Sequence, residues 1–206
     1  MVMSTVEIDI IYMMNLIGCG VFAISGAIMA YKQKMDGFGV LVLAAVTAIG
    51  GGTVRDLLLD APVFWLTQPS YIYVVIFAAV LAIIWLNYSE RIPAKALEIA
   101  DAIGLALFVV MGTSKALSYG VSDVTAIILG MMTGCFGGMI RDVLANEVPM
   151  ILQKELYAIC CIVGASLYVL IIPFYEEVAI ISAFSAVLLL RLAAIKWKWQ
   201  LHVFKY

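Results

Sequence analysis

The chain reads as an all-α integral membrane protein with seven transmembrane helices: two inverted three-helix repeats and a seventh helix. Three observations predict this. The 206 residues are 65% hydrophobic and only 13% charged, with a mean hydropathy of +1.10, outside the range of soluble domains. Seven apolar stretches are each long enough to cross ~30 Å of hydrocarbon, which takes about 20 residues of helix. Finally, Gly51-Gly52-Thr53-Val54-Arg55-Asp56 returns 86 positions later as Gly137-Gly138-Met139-Ile140-Arg141-Asp142.

The spans are predicted at 8–31, 38–60, 70–88, 96–118, 123–145, 154–174 and 177–196. They are continuous runs, unlike the short alternating strands of a membrane β-barrel. Little chain remains for a soluble domain, so 1–206 is one membrane domain. Repeat one covers 8–88, repeat two covers 96–174, and the seventh helix is 177–196. Span 1 follows Glu7 and Asp9 with no Lys or Arg before it. A secretory signal starts basic and ends at a small-residue cleavage site, so residues 1–31 are expected to stay in the mature protein.

Seven spans put the termini on opposite sides. The side holding the N-terminus has Lys115 as its only Lys or Arg outside the repeated motifs. The other side holds Lys32, Lys34, Arg91, Lys95, Lys154, Lys196, Lys198 and Lys205, with Arg191 at the end of the last span. Positive residues stay cytoplasmic, so the N-terminus is expected outside and the C-terminus inside. Trp197, Trp199, Phe204 and Tyr206, mixed with lysines, look like an interfacial anchor.

Composition also excludes function classes. The net charge is −2 and no basic patch suits nucleic acid. The four cysteines, Cys19, Cys135, Cys160 and Cys161, lie in apolar spans without metal-ligand spacing, and read as small hydrophobes. The single histidine, His202, is in the tail. No nucleophile–base pair is visible, so an enzyme is not expected, and neither is a transition-metal site.

At the 86-residue offset the halves align without a gap. Gly18, Phe22 and Gly26 match Gly104, Phe108 and Gly112; Thr47 matches Thr133; Tyr71 matches Tyr157. Each unit has three spans, an odd number, so the second copy enters the bilayer from the opposite face. Folds of this kind place the permeant site where the halves meet.

The pathway candidates come from spans 2 and 5. Gly50, Gly51 and Gly52 are consecutive, and Gly134, Gly137 and Gly138 recur in span 5. Glycine costs about 1 kcal/mol relative to alanine inside a helix, so these runs favour a kink or an unwound turn. Freed carbonyls, with the Thr47 and Thr133 hydroxyls, would replace water around a cation. Close helix packing is the alternative, and the two coexist readily. Arg55 and Asp56 project about 100° apart on a helix, so they are not expected to pair face to face. Inverted symmetry offers Arg55 with Asp142, and Arg141 with Asp56. Alternatively, both arginines snorkel to opposite interfaces. Asn15 and Asp101 occupy equivalent places in spans 1 and 4. Asp101 is a candidate for drawing cations in, or a cap. Lys115 is a candidate for gating, or a snorkelling lysine.

The paired GGGTVRD and GGMIRD motifs, the three-plus-three repeat and the extra span resemble the bacterial members of the TRIC family, the trimeric intracellular cation channels. The resemblance covers nearly the whole chain. It implies a homotrimer in membrane lipid, with a pore inside each subunit, lined by the glycine-kinked spans 2 and 5. The permeant ions would be K+ and also Na+, with no cofactor. It makes Gly50, Gly51, Gly52, Arg55, Gly134, Gly137, Gly138 and Arg141 pore residues and relates Lys115 to a voltage-linked lysine of animal members. It places the protein in the bacterial inner membrane. The same family takes in proteins regarded as glycine transporters, and inverted repeats with broken helices also suit a carrier. An arginine in the path can hold a substrate carboxylate bidentately. A secondary transporter of a small amino acid is therefore the alternative.

Overall fold

A computed structural model describes residues 5–88 and 93–200. Its elements are α1 (Thr5–Lys32), α2 (Gly37–Leu58), α3 (Phe64–Thr67), α4 (Ser70–Tyr88), α5 (Ala96–Ser118), α6 (Asp123–Leu144), a 3-10 turn (Met150–Leu152), α7 (Ala158–Ile171) and α8 (Glu176–Trp197). Predicted spans 1 to 7 thus correspond to α1, α2, α4, α5, α6, α7 and α8.

Among the described residues, six helices are long and apolar enough to cross a membrane. The sixth predicted span is the exception. Helix α7 has 14 residues, about 21 Å at 1.5 Å per residue, short of the ~30 Å hydrocarbon core. The start of that stretch goes elsewhere: Glu155 bridges Gln200, Leu156 donates its N–H to the Trp199 carbonyl, and the Tyr157 ring is buried.

Local chemistry sets the helix ends. The Asp36 carboxylate caps α2 by accepting from the Gly39 N–H at 2.7 Å, and the Ser122 hydroxyl caps α6 by accepting from Thr125. After α2 the chain turns at Asp60 (φ 51°), and after α6 at Asn146 (φ 56°). Asp and Asn tolerate the left-handed region better than other side chains, and these two are 86 residues apart. The turns close alike, with Ala61 N–H donating to Asp56 O and Glu147 N–H to Asp142 O.

The centre is small and flush. Phe22 and Phe108, again 86 apart, stack on each other at 5.1 Å. Gly18 lies against Phe108, and Gly104 against Phe22, so α1 and α5 run antiparallel. Outward, α4 shows Tyr73, Phe77, Leu81 and Trp85 as an exposed apolar face, as lipid contact requires. The four cysteines are buried, with the Cys135 and Cys161 sulfurs 3.7 Å apart. At the C-terminus Trp197 and Trp199 stack at 5.5 Å. Phe204, Tyr206, His202, Arg91 and Lys205 lie outside the described residues.

Candidate ion pathway

Helices α2 and α6 meet through their glycines. A Cβ added to Gly51 would sit 2.1 Å from the Thr133 carbonyl oxygen, and one added to Gly137 would sit 2.2 Å from the Thr47 carbonyl oxygen. No side chain fits there. Gly134 lies against Val109 and Leu105, Gly50 against Ile140, Gly52 against Phe64, and Gly138 against Asp101. Both helices run unbroken through these residues, so the expected unwound turn is absent. Flush packing against a neighbouring backbone offsets the glycine cost, and the packing alternative accounts for the pattern. Thr47 and Thr133 are buried, and each donates its hydroxyl to the carbonyl four residues back, Leu43 or Leu129, at 2.6 Å. Their oxygen lone pairs stay free to accept.

The arginines do not pair across the seam. Arg55 Nε donates to Asp56 Oδ1 at 2.8 Å, and Arg141 Nε to Asp142 Oδ1 at 2.7 Å. Neighbours on one helix do pair here, because each motif lies in the last turn and the long arginine side chain spans the gap. The crossed pairs Arg55–Asp142 and Arg141–Asp56 are not formed, since each cluster closes at its own end of the bundle. Nor do the arginines snorkel: Arg55 is 3% exposed and Arg141 0%. Each aspartate's second oxygen accepts from the loop beyond, Asp56 Oδ2 from the Phe64 N–H at 3.0 Å and Asp142 Oδ2 from the Met150 N–H at 3.1 Å. The aspartate thus ties its arginine to the following turn.

Around these like cores the surroundings differ. Arg141 Nη1 also donates to Asp101 Oδ1 at 2.9 Å and to the Ser25 hydroxyl. Tyr157 donates its hydroxyl to Asp101 Oδ2 at 2.8 Å. Asp101 is therefore neither a cap nor an exposed collector but the enclosed partner of Arg141. Arg55 has no second carboxylate among the described residues. Instead Lys115 Nζ sits 2.8 Å from Asp56 Oδ1, with Lys115 27% exposed. The Lys115 ammonium therefore turns inward to an acid rather than snorkelling.

Each cluster adjoins a cavity. One, of about 460 Å³, is lined by Arg55 and Lys115 with Ile11, Tyr12, Asn15, Tyr71 and Ser118 among others. The other, of about 230 Å³, is lined by Asp142 with Met29, Lys32, Leu97 and Glu98 among others. The pairs Ile11/Leu97, Tyr12/Glu98, Lys115/Met29 and Ser118/Lys32 are each 86 apart. The cavities thus share four matched lining positions and lie at opposite ends of the bundle, beside the ends of α2 and α6.

The residues missed from sequence are Ser25, Tyr157, Tyr71 and Phe64. Tyr71 and Tyr157 do match at the offset, which was the available signal. Ser25 and Phe64 carried none, being matched by Met111 and Met150. A further cluster sits on α8, where Arg191 pairs with Glu155 at 2.9 Å and lies over the Tyr157 ring.

Known proteins share this organisation. A family model described as Glycine transporter matches residues 12–87 and again 98–173. A UPF0126 membrane protein of Vibrio cholerae is 44% identical over 204 residues, covering 98% of this chain and 85% of that one. The UPF0126 inner membrane protein YadS of Escherichia coli is 43% identical over 201 residues, covering 95% and 96%. A solved structure of the TRIC trimeric intracellular cation channel orthologue from Rhodobacter sphaeroides superposes with a TM-score of 0.87 at 36% identity, covering 92% and 99%. With two matches to the family model, close relatives along nearly its whole length and this fold, the chain belongs to the bacterial TRIC family of membrane proteins, the family to which the glycine-transporter and UPF0126 names also attach.

Proposed function

We propose that the protein is a monovalent-cation channel of the bacterial inner membrane, conducting K+ and also Na+. It works as a homotrimer with a pore in each subunit, lined by α2 and α6. The carrying observation is the pair of cavities at opposite ends of the bundle, one lined by Arg55 at the end of α2 and the other by Asp142 at the end of α6, which this reading takes as the two mouths of a path through the α2–α6 seam. A path entering from both sides and meeting at small residues is what an inverted repeat provides. The structural neighbour described as a trimeric cation channel supports the same reading, and the relative described as an inner membrane protein supports the location. The lysine-rich side is cytoplasmic in this reading, so the Arg55–Lys115 mouth faces out and the C-terminus faces in.

The structure then corresponds to a closed state. Opening parts α2 from α6 and draws Lys115 off Asp56. The Thr47 and Thr133 carbonyl oxygens, now pressed against Gly137 and Gly51, become ligands for a passing cation, joined by the two threonine hydroxyls. Once Lys115 has left Asp56, each arginine is neutralised by its own aspartate and does not repel the cation outright.

Planar-bilayer recording of purified protein tests this. A KCl gradient should give unitary currents reversing near the K+ equilibrium potential. Saturable uptake without unitary currents would overturn the channel. That outcome belongs to the second reading, a carrier of a small amino acid, favoured by the glycine-transporter description and by the arginine-lined cavity. Radiolabelled glycine uptake into proteoliposomes measures it, and Arg55→Ala or Arg141→Ala should abolish such uptake.

A further inference from the structure

The two mouths differ in charge in a way that the channel reading does not use. At the outer one, Arg55 and Lys115 share a single carboxylate, Asp56, so that among the described side chains one positive charge is left without a carboxylate beside a cavity of about 460 Å³. Cations in half-buried, low-dielectric settings attract counter-charge far more strongly than in water. The geometry of Arg55 says which kind. Its Nε and Nη2 are taken by Asp56 Oδ1 at 2.8 and 2.7 Å. The other edge of the fork, Nη1 with the second Nη2 hydrogen, has no protein partner among the described residues and, unlike Arg141 Nη2, is not a buried unpartnered donor, so it is open to the cavity that Arg55 lines. That edge presents two parallel donors, the pattern that fits a carboxylate bidentately.

We propose that this cavity binds a small monocarboxylate, held end-on by Arg55 and by the Lys115 ammonium. Binding competes with Asp56 for Lys115 and so loosens the latch across the mouth. The equivalent mouth lacks such a site. There Met29 stands where Lys115 does, and Asp101 where Asn15 does, so Arg141 already has two carboxylates. The binding step needs only the cavity and its charges; the gating consequence rests on the channel reading.

Titration calorimetry on detergent-purified full-length protein, at constant ionic strength, measures binding directly. The probes are acetate, glycine as a carboxylate carrying its own ammonium, and chloride as an anion without a second oxygen. Saturable acetate binding is expected, with Kd raised at least tenfold by Lys115→Met, a side chain that the fold already accepts at Met29, and kept within about threefold by Lys115→Arg. Glycine binding as tightly as acetate would identify an amino-acid site of the same carboxylate chemistry. Chloride binding as tightly as acetate, no saturable heat, or heat unchanged by Lys115→Met overturns the proposal. In bilayers, acetate on the Lys115 side alone should raise open probability at least twofold. An equal effect from both sides, or none, overturns the latch. Absence of unitary currents in every condition defeats the channel reading instead and leaves the calorimetry standing as the test of binding.

Discussion

At the Arg55 mouth a guanidinium and an ammonium share one carboxylate beside a cavity; at the Arg141 mouth one guanidinium is gripped by two carboxylates and fully enclosed. The backbone plan is the same in both. Each aspartate binds its arginine with one oxygen and a downstream N–H with the other, each helix is followed by a left-handed Asp or Asn, and Gly51 and Gly137 each meet a threonine carbonyl. The difference reduces to three matched positions: Asn15 against Asp101, Met111 against Ser25, and Lys115 against Met29. Together they leave the first cluster at +1 and the second at −1. Contacts that hold the helices together stayed alike, while side chains beside the cavities diverged, so one scaffold presents two chemically distinct ends.

The comparison breaks most easily at the arginines. Arg141→Ala leaves Asp101 and Asp142 enclosed without a cation, and removing one partner of a buried pair costs about 3–5 kcal/mol. Arg55→Ala should cost clearly less, because Lys115 remains on Asp56 and the cavity admits water. Thermal unfolding of both variants in detergent checks this; equal losses would mean that the enclosure is not what separates the mouths.

Next come the glycines, where the halves should behave alike. Gly51→Ala and Gly137→Ala each drive a methyl into a carbonyl oxygen, an overpacking that costs roughly 1–3 kcal/mol. Matching drops in unfolding temperature, with raised basal conductance in bilayers, would support a symmetric seam. A loss in one variant alone would remove it.

Tyr157→Phe should cost about 2 kcal/mol, the typical worth of a buried hydrogen bond to a charged group. Tyr71→Phe, at a residue that lines the open cavity and has no carboxylate partner among the described hydrogen bonds, should be nearly neutral by the same measurement. Lys115→Met should also cost little stability, under about 1 kcal/mol for a partly exposed pair. Its signature is functional: a higher open probability, because the ammonium that latches onto Asp56 is gone.

Much of this was legible beforehand. The bounds of six of the seven predicted spans fall within about three residues of the observed helices, because a membrane span is a length of apolar chain and is written locally. The sixth span was overlong, since its first residues are spent on a distant contact with Trp199 and Gln200. The motif residues gather into two clusters, and Asp101 and Lys115 both join them. Their partners were not legible. Angular projection on an ideal helix kept Arg55 from Asp56, yet side-chain reach at a helix end outweighs that angle.

Sequence alone determined the membrane class, the 86-residue period, the residues worth inspecting and the lysine bias between the two sides. These follow from composition, length and spacing, which exist before folding. Only the tertiary structure decided that the glycines pack in a seam instead of unwinding, that Arg141 is doubly paired while Arg55 shares Asp56 with Lys115, and that Arg55 itself lines a cavity whereas Arg141 does not. Those outcomes depend on through-space distances of a few ångströms between helices far apart in the chain, and both Coulomb energy and close packing change steeply over such distances.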